Sequence, residues 1–152
     1  MYRDSSIDYA KKYLENLLSF FGLNIDVKAS ADDDVIELKV PSTHLNGFLI
    51  GHNGDTLRSL QFLVSTTLRN HDALLHRINI DIADYKAQRA DRLVNKIKDI
   101  LGSVLESGEP RSLEPMNAAD RRVVHQAVSE YPELTTESVG EGRERHIVIS
   151  KK

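Results

Sequence analysis

The chain has 152 residues, of which 40% are hydrophobic and 28% are charged, a composition typical of a folded globular protein and not of a disordered one. It contains no cysteine, which excludes disulfides, thiolate catalysis and cysteine-based zinc sites. The formal net charge of −3 excludes a uniformly basic surface, so any nucleic-acid site must come from local clusters of basic residues.

The first half of the chain shows hydrophobic periodicity that predicts a compact α+β unit. The predicted elements, in order, are helix, strand, strand, helix, helix and strand, at residues 7–21, 25–29, 36–40, 45–50, 55–69 and 78–82. Ser5 or Ser6 is a suitable cap for the first helix, and Gly22 ends it. The acidic turn at 32–34 separates the first two strands, which are therefore expected to form a hairpin.

The second half predicts a smaller α+β unit that follows a long helix. The predicted elements are a helix at 84–106, a short strand near 112–114, a helix at 117–130 and extended segments at 134–139 and 143–150. We therefore predict three segments: a first module at 1–82, a connecting helix at 83–107 and a second module at 108–152. No stretch is apolar enough to span a membrane, so we expect a cytoplasmic protein without membrane insertion.

Two glycines three residues apart, Gly51 and Gly54, stand between the predicted helices at 45–50 and 55–69. Glycines at this spacing allow a tight turn and a close approach of the backbone to a ligand. The amides that open the following helix would point at an anion, for which a phosphate is the natural candidate. Spacing alone also fits a helix–helix turn that binds nothing, so the interpretation depends on the surrounding elements.

Those surroundings point to a known fold. Residues 49–57, placed between helices within the order given above, resemble the nucleic-acid-clamping loop of a type II KH domain. The resemblance extends over about residues 5–82. It implies that the Gly-x-x-Gly loop grips the backbone of about four nucleotides, with Gly51 and Gly54 as the clamp, and that an apolar groove beside the loop receives the bases.

The two variable positions of the loop depart from the pattern of such domains. They are often basic there, whereas here they are His52 and Asn53, followed by Asp55. Backbone amides and Asn53 must then supply the contacts. All four residues from Gly51 to Gly54 are predicted RNA contacts.

The predicted helix at 117–130 carries a cation and a flat ring on one face. Arg121 and His125 are four residues apart, so both project from the same side, with Arg122 nearby. A guanidinium can form a forked contact with phosphate oxygens, and an imidazole can hydrogen-bond to or stack on an exposed base. An ordinary solvated helix face, or a packed and hydrogen-bonded His125, is the alternative interpretation.

Flanking residues again identify a family pattern. The segments that carry it are residues 113–116, 120–125, 136–142 and 143–149. Together they resemble the R3H domain of single-strand nucleic-acid binders. The resemblance implies that Arg121 and His125 are the signature residues, and we expect Arg143 and Arg145, two apart on one strand, to extend the basic surface.

A type II KH unit followed by an R3H unit resembles the bacterial Jag family, also called SpoIIIJ-associated or KhpB proteins. Members commonly carry a further amino-terminal domain, which we expect to be absent here because the KH-like helix begins close to Met1. The resemblance implies a single-stranded RNA-binding protein, acting as a post-transcriptional regulator or RNA chaperone linked to cell division or elongation. It also implies a small KH-domain protein as partner, and single-stranded DNA is an alternative ligand.

Two other classes of function remain open at this point. An enzyme would need a nucleophile beside a base, paired carboxylates in a pocket or clustered metal ligands, and the sequence shows none, so we expect no catalysis, cofactor or metal. A protein-interaction adaptor using the same folds without RNA is compatible with the acidic net charge and the non-basic loop. Salt-sensitive RNA binding would distinguish it. Strand pairing between protomers would give a homo-oligomer if a sheet edge is exposed.

Overall fold

The computed structural model describes all 152 residues, which form two compact units, Met1–Lys86 and Ala87–Lys152. Each unit contains a three-stranded sheet with helices, and the predicted α+β class with two modules is confirmed. The helices are α1 Arg3–Ser19, α2 Asn46–Ile50, α3 Asp55–Asn70, α4 Tyr85–Ser107 and α5 Ala118–Ser129. The strands are β1 Lys28–Asp32, β2 Val35–Val40, β3 Arg77–Ile82, β4 Arg111–Ser112, β5 Leu134–Val139 and β6 His146–Lys151. None of the helices combines the length and apolar character needed to cross a membrane.

The sheet of the first unit has the order β1-β2-β3 and carries α1 and α3 on one face. Strands β1 and β2 are antiparallel, whereas β2 and β3 are parallel. Alternate residues of β2 and every third or fourth residue of α3 are buried, because strand side chains repeat every two residues and helix side chains every 3.6. The packed helix α3 starts at the end of the glycine loop and holds that loop against the unit.

The first helix and the first strand differ from the prediction at their ends. Helix α1 begins at Arg3, so Ser6 does not cap it; Ser6 lies buried inside the helix and its hydroxyl donates to the Tyr2 carbonyl at 2.8 Å. The two-residue turn at Asp33 and Asp34 sets the pairing of β1 with β2. The last pair is Lys28 with Lys39, so strand β1 begins at Lys28 and not at residue 25. Asp32 therefore belongs to the strand and not to the turn.

The outer edge of β3 is partly covered by α3. The Gln61 side-chain carbonyl accepts the Ile80 amide at 3.0 Å and the Lys86 ammonium at 2.8 Å. Lys86 also donates to the Asn79 side chain. Burial lowers the pKa of Lys86, and the negative charges of Asp81 and Glu37 oppose that shift. These contacts occupy a strand edge that would otherwise be open for pairing.

The sheet of the second unit has the order β4-β6-β5 and is antiparallel throughout. Its core includes residues from α4 as well as from α5 and the sheet. The buried members are Ile97, Leu101, Val104, Leu113, Val124, Val128, Leu134, Ile147 and Ile149. The apolar face of α4 is thus part of the second core, and the division at residues 82 and 107 remains a proposal about domain boundaries.

The predicted strand at 143–150 is wrong at its beginning. Gly142–Glu144 forms a 3-10 turn, and β6 starts only at His146. Gly140 and Gly142 both have positive φ, which turns the chain tightly and delays the strand. Arg143 and Arg145 therefore do not lie two apart on one strand. The predicted short strand near 112–114 is observed at Arg111–Ser112.

A part-buried ion pair ties α4 to α5 within the second unit. The Arg89 guanidinium donates to both carboxylate oxygens of Asp120, at 3.0 and 2.5 Å, and only 7% of Asp120 is exposed. We expect Asp120→Ala to lower the free energy of unfolding by about 2 kcal/mol, because Arg89 would lose its buried counter-ion. Urea denaturation followed by circular dichroism measures this.

A second ion pair, which also involves a residue of α4, provides the control for that change. Lys96 and Glu114 are 3.7 Å apart and both are largely exposed. Glu114→Ala should cost at most about 0.5 kcal/mol, since exposed pairs contribute little. Equal losses in the two variants would contradict the assigned role of Asp120.

Candidate nucleic-acid interface

The Gly-x-x-Gly loop lies between α2 and α3, as predicted, and reverses the chain within four residues. Gly51 has φ 73° and ψ −178°, Asn53 has φ 53°, and Gly54 has φ 79°. These are conformations that side-chain-bearing residues rarely adopt. The backbone rather than the side chains is therefore the dominant feature of the loop.

Gly51 has no room for a side chain. A Cβ at this position would overlap the Thr56 hydroxyl and lie 2.9 Å from the Thr56 backbone nitrogen. Its φ and ψ also fall in a region that is essentially restricted to glycine. Sequence and geometry thus agree that the backbone must pass directly against the first turn of α3.

Gly54 is less constrained by space. A Cβ there would lie 3.4 Å from the Arg58 guanidinium and 3.5 Å from the Tyr85 ring, which are ordinary contacts. The positive φ alone disfavours other residues. The buried Gly54 therefore lets the loop pack closely beside Tyr85 as α3 begins.

Arg58 adds a positive charge that the loop sequence itself does not contain. One of its terminal nitrogens donates to the Asn53 carbonyl at 2.9 Å, and the other pairs with the Asp55 carboxylate. His52 and Asn53 are exposed, and their side chains contact each other at 3.2 Å. Arg58 both fixes the loop backbone and balances the acidic charge of Asp55.

The amino end of α3 is suited to an anion. No side chain caps it, although the Asp55 carboxylate lies in its first turn, where Arg58 balances the negative charge. Next to it, an open groove is lined by Asp55, Arg58, Ser59, Phe62 and Leu63. Phe62 is 67% exposed and offers an aromatic face within this groove. A phosphate and a base would thus find suitable chemistry side by side.

Helix α5 begins with a well-formed cap and buries one apolar stripe. The Asn117 side chain accepts the Asp120 amide at 2.9 Å, and Val124 and Val128 point into the core. Arg121 donates from one terminal nitrogen to the Met116 carbonyl at 2.6 Å. This single bond holds the guanidinium in place and leaves its other N–H groups available.

His125 links α5 to β5. Its Nδ1 lies 2.5 Å from the Thr136 hydroxyl and its Nε2 lies 3.1 Å from the Ser138 hydroxyl. Thr136 and Ser138 are two apart on β5, so both hydroxyls face the helix. With both ring nitrogens engaged, the ring face is the part of His125 that is left to contact a ligand.

The remaining arginines of the second unit divide into two kinds. Arg145 donates to the Gly140 carbonyl at 2.8 Å and so closes the glycine turn. Arg122 and Arg143 are exposed, and neither forms an ion pair or a side-chain hydrogen bond. They are the members of the predicted set whose charge is fully available to a ligand.

Comparison with known proteins decides the family. Residues 89–151 match the R3H domain family. The chain is 32% identical over 146 residues to RNA-binding protein KhpB of Clostridium symbiosum, and 28% identical over 148 residues to RNA-binding protein KhpB of Bacillus subtilis. The chain belongs to the KhpB family. The predicted membership in this family, also called Jag, is confirmed.

The KhpB relatives are longer than this chain. The alignments cover 95% of the chain but 66% of the Clostridium symbiosum protein, and 96% of the chain but 71% of the Bacillus subtilis protein. RNA-binding protein KhpB of Streptococcus pneumoniae serotype 2 is 28% identical over 83% of the chain, which corresponds to 39% of that protein. The chain thus covers between 39% and 71% of the length of these three KhpB proteins.

Sequence reasoning missed several residues that shape the candidate interface of this KhpB-family chain. Arg58, four residues after Gly54, could have been found as a cation in the first turn of the helix that follows the loop. The pattern Thr136-x-Ser138 signalled two hydroxyls on one strand face, but not that they meet His125. The overlap of Gly51 with Thr56 had no sequence signal beyond the glycine itself.

Proposed function

We propose that this chain binds single-stranded RNA at two places, the Gly51–Gly54 loop and the exposed face of α5. The observation that carries the proposal is the loop geometry: a glycine backbone pressed against the uncapped start of α3, with Arg58 fixed beside it. Backbone amides and a cation in this arrangement suit a phosphate. RNA binding in the named KhpB relatives supports the same ligand.

At the loop, each residue has a distinct role in the proposal. Gly51 and Gly54 let the nucleotide backbone approach, and Asn53 and His52 are exposed for direct hydrogen bonds. Phe62, beside Arg58 in the open groove, stacks on a base. A duplex offers no exposed base faces to such a groove, which favours single strands.

On the second unit, the proposed interface combines held and free cations. Arg121 is pre-oriented by Met116, whereas Arg122 and Arg143 reach phosphates from the exposed surface. His125 presents its ring face, and Arg145 keeps the glycine turn in shape. This division into positioning and contacting residues makes the roles separable by mutation.

The proposal includes no catalysis and no cofactor. We expect the binding to take place in the cytoplasm. Because this chain is related to KhpB proteins, the proposed function also includes regulation of bacterial RNA and association with a small KH-domain protein.

Removal of the two free arginines gives a direct test. We expect Arg122→Ala/Arg143→Ala to weaken binding of a labelled single-stranded RNA by about thirtyfold, because each of the two lost phosphate contacts costs about 1 kcal/mol. The slope of log affinity against log salt should fall by about 0.7 for each contact removed. Fluorescence anisotropy at several salt concentrations measures both quantities.

The control is Glu137→Ala, which removes an exposed charge from β5. It should not reduce affinity, since a carboxylate does not bind phosphate. If the folded wild type binds no RNA even at low salt, the RNA-binding proposal fails and an adaptor function takes its place. If Arg122→Ala/Arg143→Ala binds RNA like the wild type, these two arginines have no part in RNA binding.

A further inference from the structure

Strand β1 is an unpaired edge of the first sheet. It pairs with β2 on one side only, and nothing in the chain pairs with its other side. The opposite edge, at β3, differs because Gln61 accepts the Ile80 amide there. The first unit thus has one covered edge and one open edge.

The groups that β1 offers at this edge follow from its hairpin register. Asp32 pairs with Val35 across the two-residue turn, so Asp32, Ser30 and Lys28 direct their backbone groups at β2. Ala29 and Ala31 must then direct their N–H and C=O groups outward. No hydrogen bond outside the β1–β2 pairing involves either alanine. Two donors and two acceptors therefore face solvent along this edge.

The sequence of β1, Lys28-Ala29-Ser30-Ala31-Asp32, reads with opposite charges at equal distances from Ser30. If two copies pair antiparallel about Ser30, Lys28 of each lies opposite Asp32 of the other. In the same register Ala29 lies opposite Ala31, so the outward backbone groups meet as hydrogen-bonded pairs. Charge and backbone pattern thus select the same register.

The side chains of this edge also favour a second copy. Lys28, Ser30 and Asp32 are exposed on the same face, and neither Lys28 nor Asp32 forms an ion pair within the chain. Lys28 lies opposite Lys39 of β2, a like-charge pair that Asp81 of β3 offsets only from the far side of Lys39. An Asp32 side chain from a second copy would relieve this repulsion.

We propose that two copies of this chain associate through β1, antiparallel about Ser30, to form one continuous six-stranded sheet. Charged residues on an edge strand often prevent it from pairing with other strands. Here Lys28 and Asp32 repel strands with other charge patterns but attract a strand with the complementary pattern. The other long edge strand, β5, has no such self-complementary charge pattern. If two copies of β5 paired about its centre, its one charged residue, Glu137, would lie opposite Thr136. Each dimer would carry two glycine loops, so that one RNA strand could be held at two points.

The test is sedimentation equilibrium of the full chain without RNA, which makes the result independent of the proposed RNA binding. The contact is small, so we expect a dissociation constant between about 1 µM and 1 mM. Lys28→Asp alone and Asp32→Lys alone should each weaken the dimer by at least about tenfold, because each places like charges opposite one another twice. An equimolar mixture of the two variants should dimerise like the wild type, since both opposite-charge pairs are restored.

Two further variants separate the edge from general effects. Ala31→Pro removes one outward donor and leaves the pairing with β2 intact, so it should abolish the dimer in a folded protein. Glu137→Lys makes an equivalent charge reversal on β5 and should leave the dimer unchanged. A wild type that stays monomeric across this concentration range overturns the proposal. So does a dimer that survives Ala31→Pro, or a mixture that fails to restore association.

Discussion

Gly51→Ala is expected to remove measurable RNA binding at concentrations that saturate the wild type, and to lower the free energy of unfolding of the first unit by about 3 kcal/mol or more. The backbone of Gly51 lies in a region that is essentially restricted to glycine. The added methyl group would also overlap the Thr56 hydroxyl. The loop can accept alanine only by moving away from α3, which separates the proposed phosphate contacts from the helix start. Urea denaturation and RNA titration measure the two losses.

Two control variants assign this effect to its cause. Gly47→Ala adds a methyl group in α2, where nothing lies within 4 Å, and should raise the stability by about 0.5 kcal/mol or more because alanine favours helix. Gly51→Ala/Thr56→Ala removes the hydroxyl overlap, but the Thr56 nitrogen stays 2.9 Å from the new methyl group. That double variant should therefore recover only part of the lost stability. A Gly51→Ala protein as stable as the wild type would contradict the geometry described for the loop.

The position and shape of the loop could be predicted because its determinants are local. Glycine at Gly51 and Gly54 permits positive φ, and the apolar stripes on either side fix where α2 ends and α3 begins. The parallel pairing of β2 with β3 was not predicted from periodicity, since period-two patterns say which face is buried but not which strand is adjacent. Local patterns in the sequence therefore located the loop, whereas the order of the strands in the sheet became known only from the structure.

The partners of the candidate side chains could not be predicted, because they come from elements distant in sequence. His125 meets Thr136 and Ser138, which are 11 and 13 residues away on a strand. The pairing of Arg89 with Asp120 spans 31 residues. Spacing on a helix tells which side chains share a face, but not what that face packs against.

The strand boundaries were misplaced for a related reason. Ile25 and Val27 alternate as strand residues do, but the hairpin register starts the pairing only at Lys28. Arg143 and Arg145 were placed on the predicted extended segment at 143–150, while the positive φ of Gly140 and Gly142 turns the chain there. A glycine's effect on direction depends on its φ, which hydrophobic patterning does not report.

Arg121→Ala/His125→Ala should lower the free energy of unfolding of the second unit by about 3 kcal/mol, in addition to weakening RNA binding. The variant loses one charged hydrogen bond to the Met116 carbonyl and two bonds between His125 and strand hydroxyls. It also leaves the Thr136 and Ser138 hydroxyls without these partners at a part-buried position. Thermal unfolding by circular dichroism and RNA titration below the unfolding transition measure the two effects separately.

Two matched variants show whether that loss is structural. Arg122→Ala/Arg143→Ala removes the same number of side chains from the exposed surface and should weaken RNA binding at almost no cost in stability. Thr136→Val/Ser138→Ala removes the partners of His125 and should cost about 1 to 2 kcal/mol, with a smaller loss of affinity because Arg121 remains in place. If Arg121→Ala/His125→Ala unfolds at the wild-type temperature, the bonds to Met116, Thr136 and Ser138 do not stabilise the second unit. The two residues would then act on the ligand alone.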